Sequence, residues 1–172
     1  IIIRSISLLL IGFFMMNNET AHGESIFIGA NYWQLLMALA VVLIWTDWKR
    51  SSIKKKWHLY LQVFGILILI FLASIYKGGE SGSVWMTTQW WGILGLIGWA
   101  YFLNALVYVY SKDSLLIMSL LWLLLILLTM LNHSEMSIAF TGLSGYFSTI
   151  LTGNVPAFTT AGIVATLLFK KM

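Results

Sequence analysis

The chain has 172 residues, of which 60% are hydrophobic and only 9% are charged, with a formal net charge of +4 and no cysteine. Soluble domains carry about 25% charged residues, so a chain this poor in charge cannot cover a water-facing surface and is expected to lie in lipid. The small net charge is weak support for nucleic acid, which is not expected as a partner, and the lack of cysteine excludes disulfides, thiolate metal sites and a cysteine nucleophile.

Six apolar stretches follow one another along the chain. They cover residues 1–16, 26–48, 57–76, 91–110, 115–131 and 154–169. At about 1.5 Å per residue, a helix of about 20 residues crosses the roughly 30 Å of bilayer hydrocarbon. We therefore predict an all-α fold: a polytopic integral membrane helical bundle of about six transmembrane helices, in one domain over residues 1–172. Because the chain opens on Ile1 without an initiator Met, we expect the later part of a larger bundle.

The fourth stretch combines two features of membrane helices. Aromatic residues, which favour the headgroup level, stand at its ends: Trp90, Trp91, Tyr108 and Tyr110. Small residues recur every three positions inside it: Gly92, Gly95 and Gly98. Such a glycine face predicts close packing against another helix. In the long connection that follows the fifth stretch, residues 138–150 are too few for a full crossing and are expected to be re-entrant or interfacial.

The basic residues predict an orientation. If the first helix runs outward from the cytoplasm, nine of the ten basic residues fall on the cytoplasmic side, and only Lys77 lies outside. Cytoplasmic loops of membrane proteins carry such an excess of Lys and Arg. The loop from Lys49 to Lys56 and the C-terminus are therefore predicted to be cytoplasmic. This loop is also expected to contact anionic lipid.

Three amides inside the predicted helices are candidate substrate-binding residues: Asn31, Gln34 and Asn104. An unpaired polar group is costly in hydrocarbon, so each needs a partner or a function. Asn31 and Gln34 are three positions apart and share a helix face, as the polar wall of a cavity would require. The alternative is a hydrogen bond between helices, worth roughly 0.6 kcal/mol on average.

No catalytic residue is predicted from the residue pattern. His22 and His133 lie in predicted outer loops, where a histidine titrates near neutral pH and can act as a general base. The alternative is that each is simply a solvated loop side chain. No second His or carboxylate stands at a spacing typical of metal ligands, so no metal site is predicted.

One run resembles a segment of the bacterial relatives of heparan-α-glucosaminide N-acetyltransferase. It reads Trp90-Trp91-Gly92-Ile93-Leu94-Gly95-Leu96-Ile97-Gly98-Trp99-Ala100-Tyr101. Three further stretches resemble family segments in the same order: Arg4-Ser5 with Leu8 to Gly12, Asn31 to Ala40 with Gln34, and Pro156-Ala157 with Ala161 to Val164. Val155 stands where the late segment has His, and the early segment that carries the family's catalytic His is not in this chain.

The resemblance implies a membrane acyltransferase of the bacterial inner membrane. Acetyl-CoA would be the co-substrate on the cytosolic side, and an amino sugar or related glycan on the outer side would accept the acetyl group. Two other functions stay open. One is an amino-sugar transporter of the N-acetylglucosamine type. The other is a non-catalytic assembly partner that packs through two stripes of small residues: Gly92, Gly95 and Gly98, and Ala157, Ala161 and Ala165. A homo-oligomer is compatible with all three.

Overall fold

The computed structural model describes residues 1–133 and 153–171. Within them the chain forms six α-helices and one short 3₁₀ turn at Trp48–Arg50. The helices are α1 (Ile2–Glu19), α2 (Ala30–Trp45), α3 (Lys55–Ile75), α4 (Gly92–Ser111), α5 (Leu115–His133) and α6 (Asn154–Lys171). In this described part there is no strand, only isolated antiparallel bridges that join Gly78 to Ala21 and to Val84. The predicted all-α class is therefore confirmed, and residues 138–150 lie outside the described residues.

Four of the six helices are long and apolar enough to cross a membrane: α1, α3, α4 and α5. Helix α2 is apolar but has only 16 residues, and α6 has 18 residues but carries hydroxyls and two lysines. The described residues thus contain six helices, of which four have the length and composition of a membrane span, and the six crossings stay a prediction. Lipid contact of the exposed apolar faces is compatible with this arrangement.

Three helix boundaries differ from the prediction by three residues or more, and one of them is the end of α2, which was expected at residue 48 and lies at Trp45. Helix α2 was expected from residue 26, but it begins at Ala30 because Gly29 has a positive φ of 77°, which ends the preceding turn. Helix α1 was expected to end at residue 16, yet it continues to Glu19. The extra turn buries Asn17, whose side-chain amide exchanges two hydrogen bonds of 2.9 and 3.0 Å with the backbone of Thr87.

The described chain divides into two compact units. The larger unit contains Ile1–Phe13 and Thr88–Met172, and the smaller unit contains Phe14–Thr87. The smaller unit is built on the pair α2 and α3, around the fully buried indole of Trp33. This indole donates a 3.0 Å hydrogen bond to the Leu72 carbonyl and packs against the rings of Phe14 and Tyr76.

The larger unit packs the first part of α1 on the glycine face of α4. A Cβ on Gly12 would overlap the backbone of Gly95, and a Cβ on Gly98 would lie 3.1 Å from the Cβ of Leu8. These contacts run in opposite directions along the two helices, so α1 and α4 are antiparallel. The predicted close packing at the glycine face of α4 is confirmed, and the helix that packs there is α1.

Helices α5 and α6 complete the larger unit. Met118 packs with Val164 and Leu167, whereas Gly153 at the start of α6 lies against the backbone of Leu125. Helices α5 and α6 are therefore antiparallel to each other, and α4 and α6 run parallel to each other.

Candidate functional site

Asn104 is the centre of the most extensive polar contact between helices in the described larger unit. It is 2% exposed, and its amide nitrogen donates to the Pro156 carbonyl, 3.1 Å away, and to the Thr159 hydroxyl. Its amide oxygen accepts from the hydroxyl of Thr160, which is fully buried. Pro156 has no N–H and stands in the first turn of α6, where none is needed. Asn104 thus joins the middle of α4 to the beginning of α6.

A groove of about 770 Å³ lies beside this contact, between α4 and α6, with Ile1 on its wall. It extends along α4 from Ile97 to Val109 and along α6 from Thr159 to Leu167. Val109, Gly162 and Thr166 are exposed, so the groove is open along its side.

The polar atoms that line the groove are largely occupied by bonds within the protein. Both amide hydrogens of Asn104 are used, the Thr166 hydroxyl donates 2.8 Å to the Gly162 carbonyl, and the Thr159 hydroxyl donates 2.9 Å to the Pro156 carbonyl. The rest of the lining is aliphatic and aromatic surface, with the phenol hydroxyls of Tyr101 and Tyr108 and the Asn104 oxygen as further polar atoms. The lining therefore suits hydrocarbon better than a polyhydroxylated ligand.

Charged side chains meet at the end of the groove where α4 and α6 finish. Lys170 donates a 2.7 Å hydrogen bond to the carboxylate of Asp113. This ammonium, together with a hydrogen bond from the Tyr108 hydroxyl, holds the pKa of Asp113 below its usual value. Lys112 and Asp113 both have positive φ, so the turn between α4 and α5 is tight. The result is a fixed polar end on an otherwise apolar groove.

The other two predicted substrate-binding residues lie elsewhere. Asn31 and Gln34 are in the smaller unit, in the first turns of α2, and both are exposed. They stand three positions apart in α2 and therefore share a helix face, as predicted. The structure places Asn31 and Gln34 in one unit and Asn104 in the other. The assignment of all three as substrate ligands stays a prediction.

His22 and His58 each contact a residue close to them in the sequence. The Nδ1 atom of His22 lies 2.8 Å from the Ser25 hydroxyl within a single turn, and His58 bonds the Ile53 carbonyl at 3.0 Å. The backbone of His133 ends α5. Among the described residues no group of three or more His, Cys, Asp or Glu could hold a metal ion.

Some contacts at the groove were not expected from the sequence. Thr159 and Thr160 as partners of Asn104, and the pair Asp113–Lys170, join positions more than fifty residues apart. A signal was nevertheless present, because Asn104 is the one amide of α4 and two adjacent hydroxyls follow Pro156 by one turn.

Comparison of the chain with models of protein families, with curated proteins and with solved structures found no match.

Proposed function

We propose that this chain is the membrane-embedded part of an acyltransferase of the bacterial inner membrane. It would act on acetyl-CoA from the cytosolic side and on an amino sugar or related glycan on the outer side. In this reaction the thioester bond of acetyl-CoA breaks, an amide or ester bond forms, and CoA leaves as the thiol after taking up the acceptor's proton. No residue of this chain is assigned as the general base.

One observation carries the proposal. Three of the four stretches that resemble the heparan-α-glucosaminide N-acetyltransferase family lie in the larger unit and pack on one another. The stretch around Leu8 to Gly12 lies on Gly95 and Gly98 of the Trp–Gly run. Asn104, which follows that run by one turn, bonds the Pro156 carbonyl of the late stretch. Resembling segments that share one packing unit are expected of a common scaffold, whereas chance matches would be scattered.

The test uses the full-length protein in lipid nanodiscs, with labelled acetyl-CoA and a glucosamine acceptor. We expect label on the sugar and stoichiometric release of CoA. A matched pair of variants, Asn104→Ala and Ser119→Ala, distinguishes loss of the α4–α6 contact from a general effect of substituting a polar residue in a helix. Asn104→Ala is expected to lower transfer per folded molecule, and Ser119→Ala to leave it unchanged. Absence of transfer, together with absence of CoA binding by calorimetry, would remove the proposal.

A second candidate function is transport of an amino sugar. It is supported by Asn31 and Gln34, which are exposed on one face of α2. Polar residues on a membrane helix usually face a water-filled cavity or another helix. Counterflow in proteoliposomes distinguishes the two functions, because a transporter moves the sugar unmodified and needs no acetyl donor. Uptake without acetylation, reduced in Gln34→Leu, would favour transport.

A further inference from the structure

The groove between α4 and α6 has the length of one lipid chain. From Ile97 to Val109 it follows α4 over thirteen residues, and the twelve steps between them span about 18 Å at 1.5 Å per residue. Half of the bilayer hydrocarbon is roughly 15 Å thick. A single acyl chain that starts at the end of α4 would therefore fill the groove and finish near the bilayer centre.

The chemistry of the lining agrees with that length. The hydroxyls of Thr159 and Thr166 donate to carbonyls of their own helix, and the Asn104 amide hydrogens are already bonded. Apart from the hydroxyls of Tyr101 and Tyr108, a sugar in this groove would find few polar partners for its own hydroxyls, which is costly, whereas a hydrocarbon chain needs none. The exposed side of the groove gives such a chain a lateral way in from the surrounding lipid.

The end of the groove carries positive charge. Tyr108 and Leu167, which line this end, stand about one turn before Lys112 and Lys170. Lys170 is paired with Asp113, so their charges cancel and the exposed Lys112 leaves a net charge of +1.

We propose that this groove is a binding site for one acyl chain of an anionic phospholipid, whose phosphate lies beside Lys112. Basic pockets between membrane helices on the cytoplasmic side bind anionic headgroups in this way. The site is additional to the proposed acyl transfer. The lipid stabilises the α4–α6 pair from the side and is not consumed.

The test measures lipid retention by native mass spectrometry of the full-length protein, with no acetyl donor or sugar present. Its outcome is therefore independent of transfer activity. The probes are phosphatidylglycerol and phosphatidylcholine with identical chains. We expect one phosphatidylglycerol retained per chain. Lys112→Gln should reduce the preference for phosphatidylglycerol about fivefold, because one lysine near an anionic headgroup contributes about that factor.

A matched pair of variants tests the chain-binding part. A Cβ on Gly162 would meet nothing within 4 Å, and Gly162 lines the groove, so we expect the ring of Gly162→Phe to occupy it. Ala165→Phe adds the same ring to an exposed position of α6 that does not line the groove. Gly162→Phe should lower retention roughly tenfold, since about ten carbon–carbon contacts are lost, and Ala165→Phe should leave it unchanged.

Equal retention by these two variants would overturn the proposal, as would equal retention of the two lipids by the unmodified protein. A second measurement, which needs no variant, tests whether the lipid chain occupies the groove. Phosphatidylglycerol with a photoreactive group at the chain end should crosslink to peptides of α4 and α6. Crosslinking spread evenly over all helices would contradict a specific groove.

Discussion

At the scale of single residues, Asn104 has an environment that distinguishes it from the other two candidate ligands. It is buried and makes bonds to three residues of α6, whereas Asn31 and Gln34 are exposed. A buried amide with its hydrogens satisfied contributes to helix packing first, and only its remaining lone pair is available to a ligand. The packing role and the ligand role of Asn104 can therefore be separated experimentally.

We predict that Asn104→Leu destabilises the full-length protein by about 1–2 kcal/mol, because two or more interhelical hydrogen bonds are lost and each is modest in a membrane. The measurement is the free energy of unfolding in mixed micelles. Thr166→Val is the control, since the Thr166 hydroxyl bonds only within α6. Equal stability of Asn104→Leu and the unmodified protein would show that these bonds contribute nothing.

Asp113 has a pH dependence with a defined sign. The bond from Lys170 lowers its pKa, so the favourable contribution of this carboxylate is present above its usual pKa of about 3.9 and is lost as the pH falls through the lower, folded value. We predict that Lys170→Gln moves the Asp113 pKa upward, toward the usual value. Carboxyl ¹³C NMR measures it, and Lys112→Gln is the matched control. An unchanged titration in Lys170→Gln would contradict the contact.

At the scale of helices, the contact between α1 and α4 depends on Gly12. Alanine normally stabilises a helix by about 1 kcal/mol relative to glycine. At Gly12, however, a Cβ would overlap the Gly95 nitrogen and the Trp91 carbonyl. We predict that Gly12→Ala destabilises the protein by about 1–3 kcal/mol, because backbone cannot move aside as a flexible side chain would.

The control for this prediction is Gly162→Ala, which has open space around its Cβ and should be neutral or slightly stabilising. Thermal unfolding of both variants in the same detergent gives the comparison. If Gly12→Ala were as stable as Gly162→Ala, the two helices would not be as close as the structure places them.

The helices were predictable where hydropathy alone determines them. The observed ranges of α3, α4 and α5 agree with the apolar stretches within a few residues, since length and composition suffice for a helix in lipid. The start of α2 was not predictable from hydropathy. Residues 26–28 are apolar like the helix itself, and the helix begins after them because Gly29 has a positive φ. A single sequence gives no backbone angles.

The candidate site was predictable only in part. The sequence singled out Asn104, but it could not show that Thr159 and Thr160 face it, because this depends on the rotation of α6 about its own axis. The same limit applied to Asn17, which was expected in a loop and is buried by its bonds to Thr87. Hydropathy determines which segments are helices, whereas hydrogen bonds between polar side chains determine how each helix is rotated about its own axis.

At the scale of the whole molecule, the central claim is that the helices cross a membrane with the basic connections on one side. The chain has no cysteine, so single cysteines can be introduced without background. Ser52 and Ser81 are both exposed and flank α3, which is long and apolar enough to span the bilayer. They are therefore suitable reporters of the two sides.

The most direct measurement is labelling of Ser52→Cys and Ser81→Cys with a membrane-impermeant maleimide in intact bacterial cells. We predict that Ser81→Cys reacts at once, and that Ser52→Cys reacts only after the membrane is permeabilised. Reaction of both cysteines from the same side of an intact membrane would contradict the crossing of α3, and with it the proposed orientation of the protein.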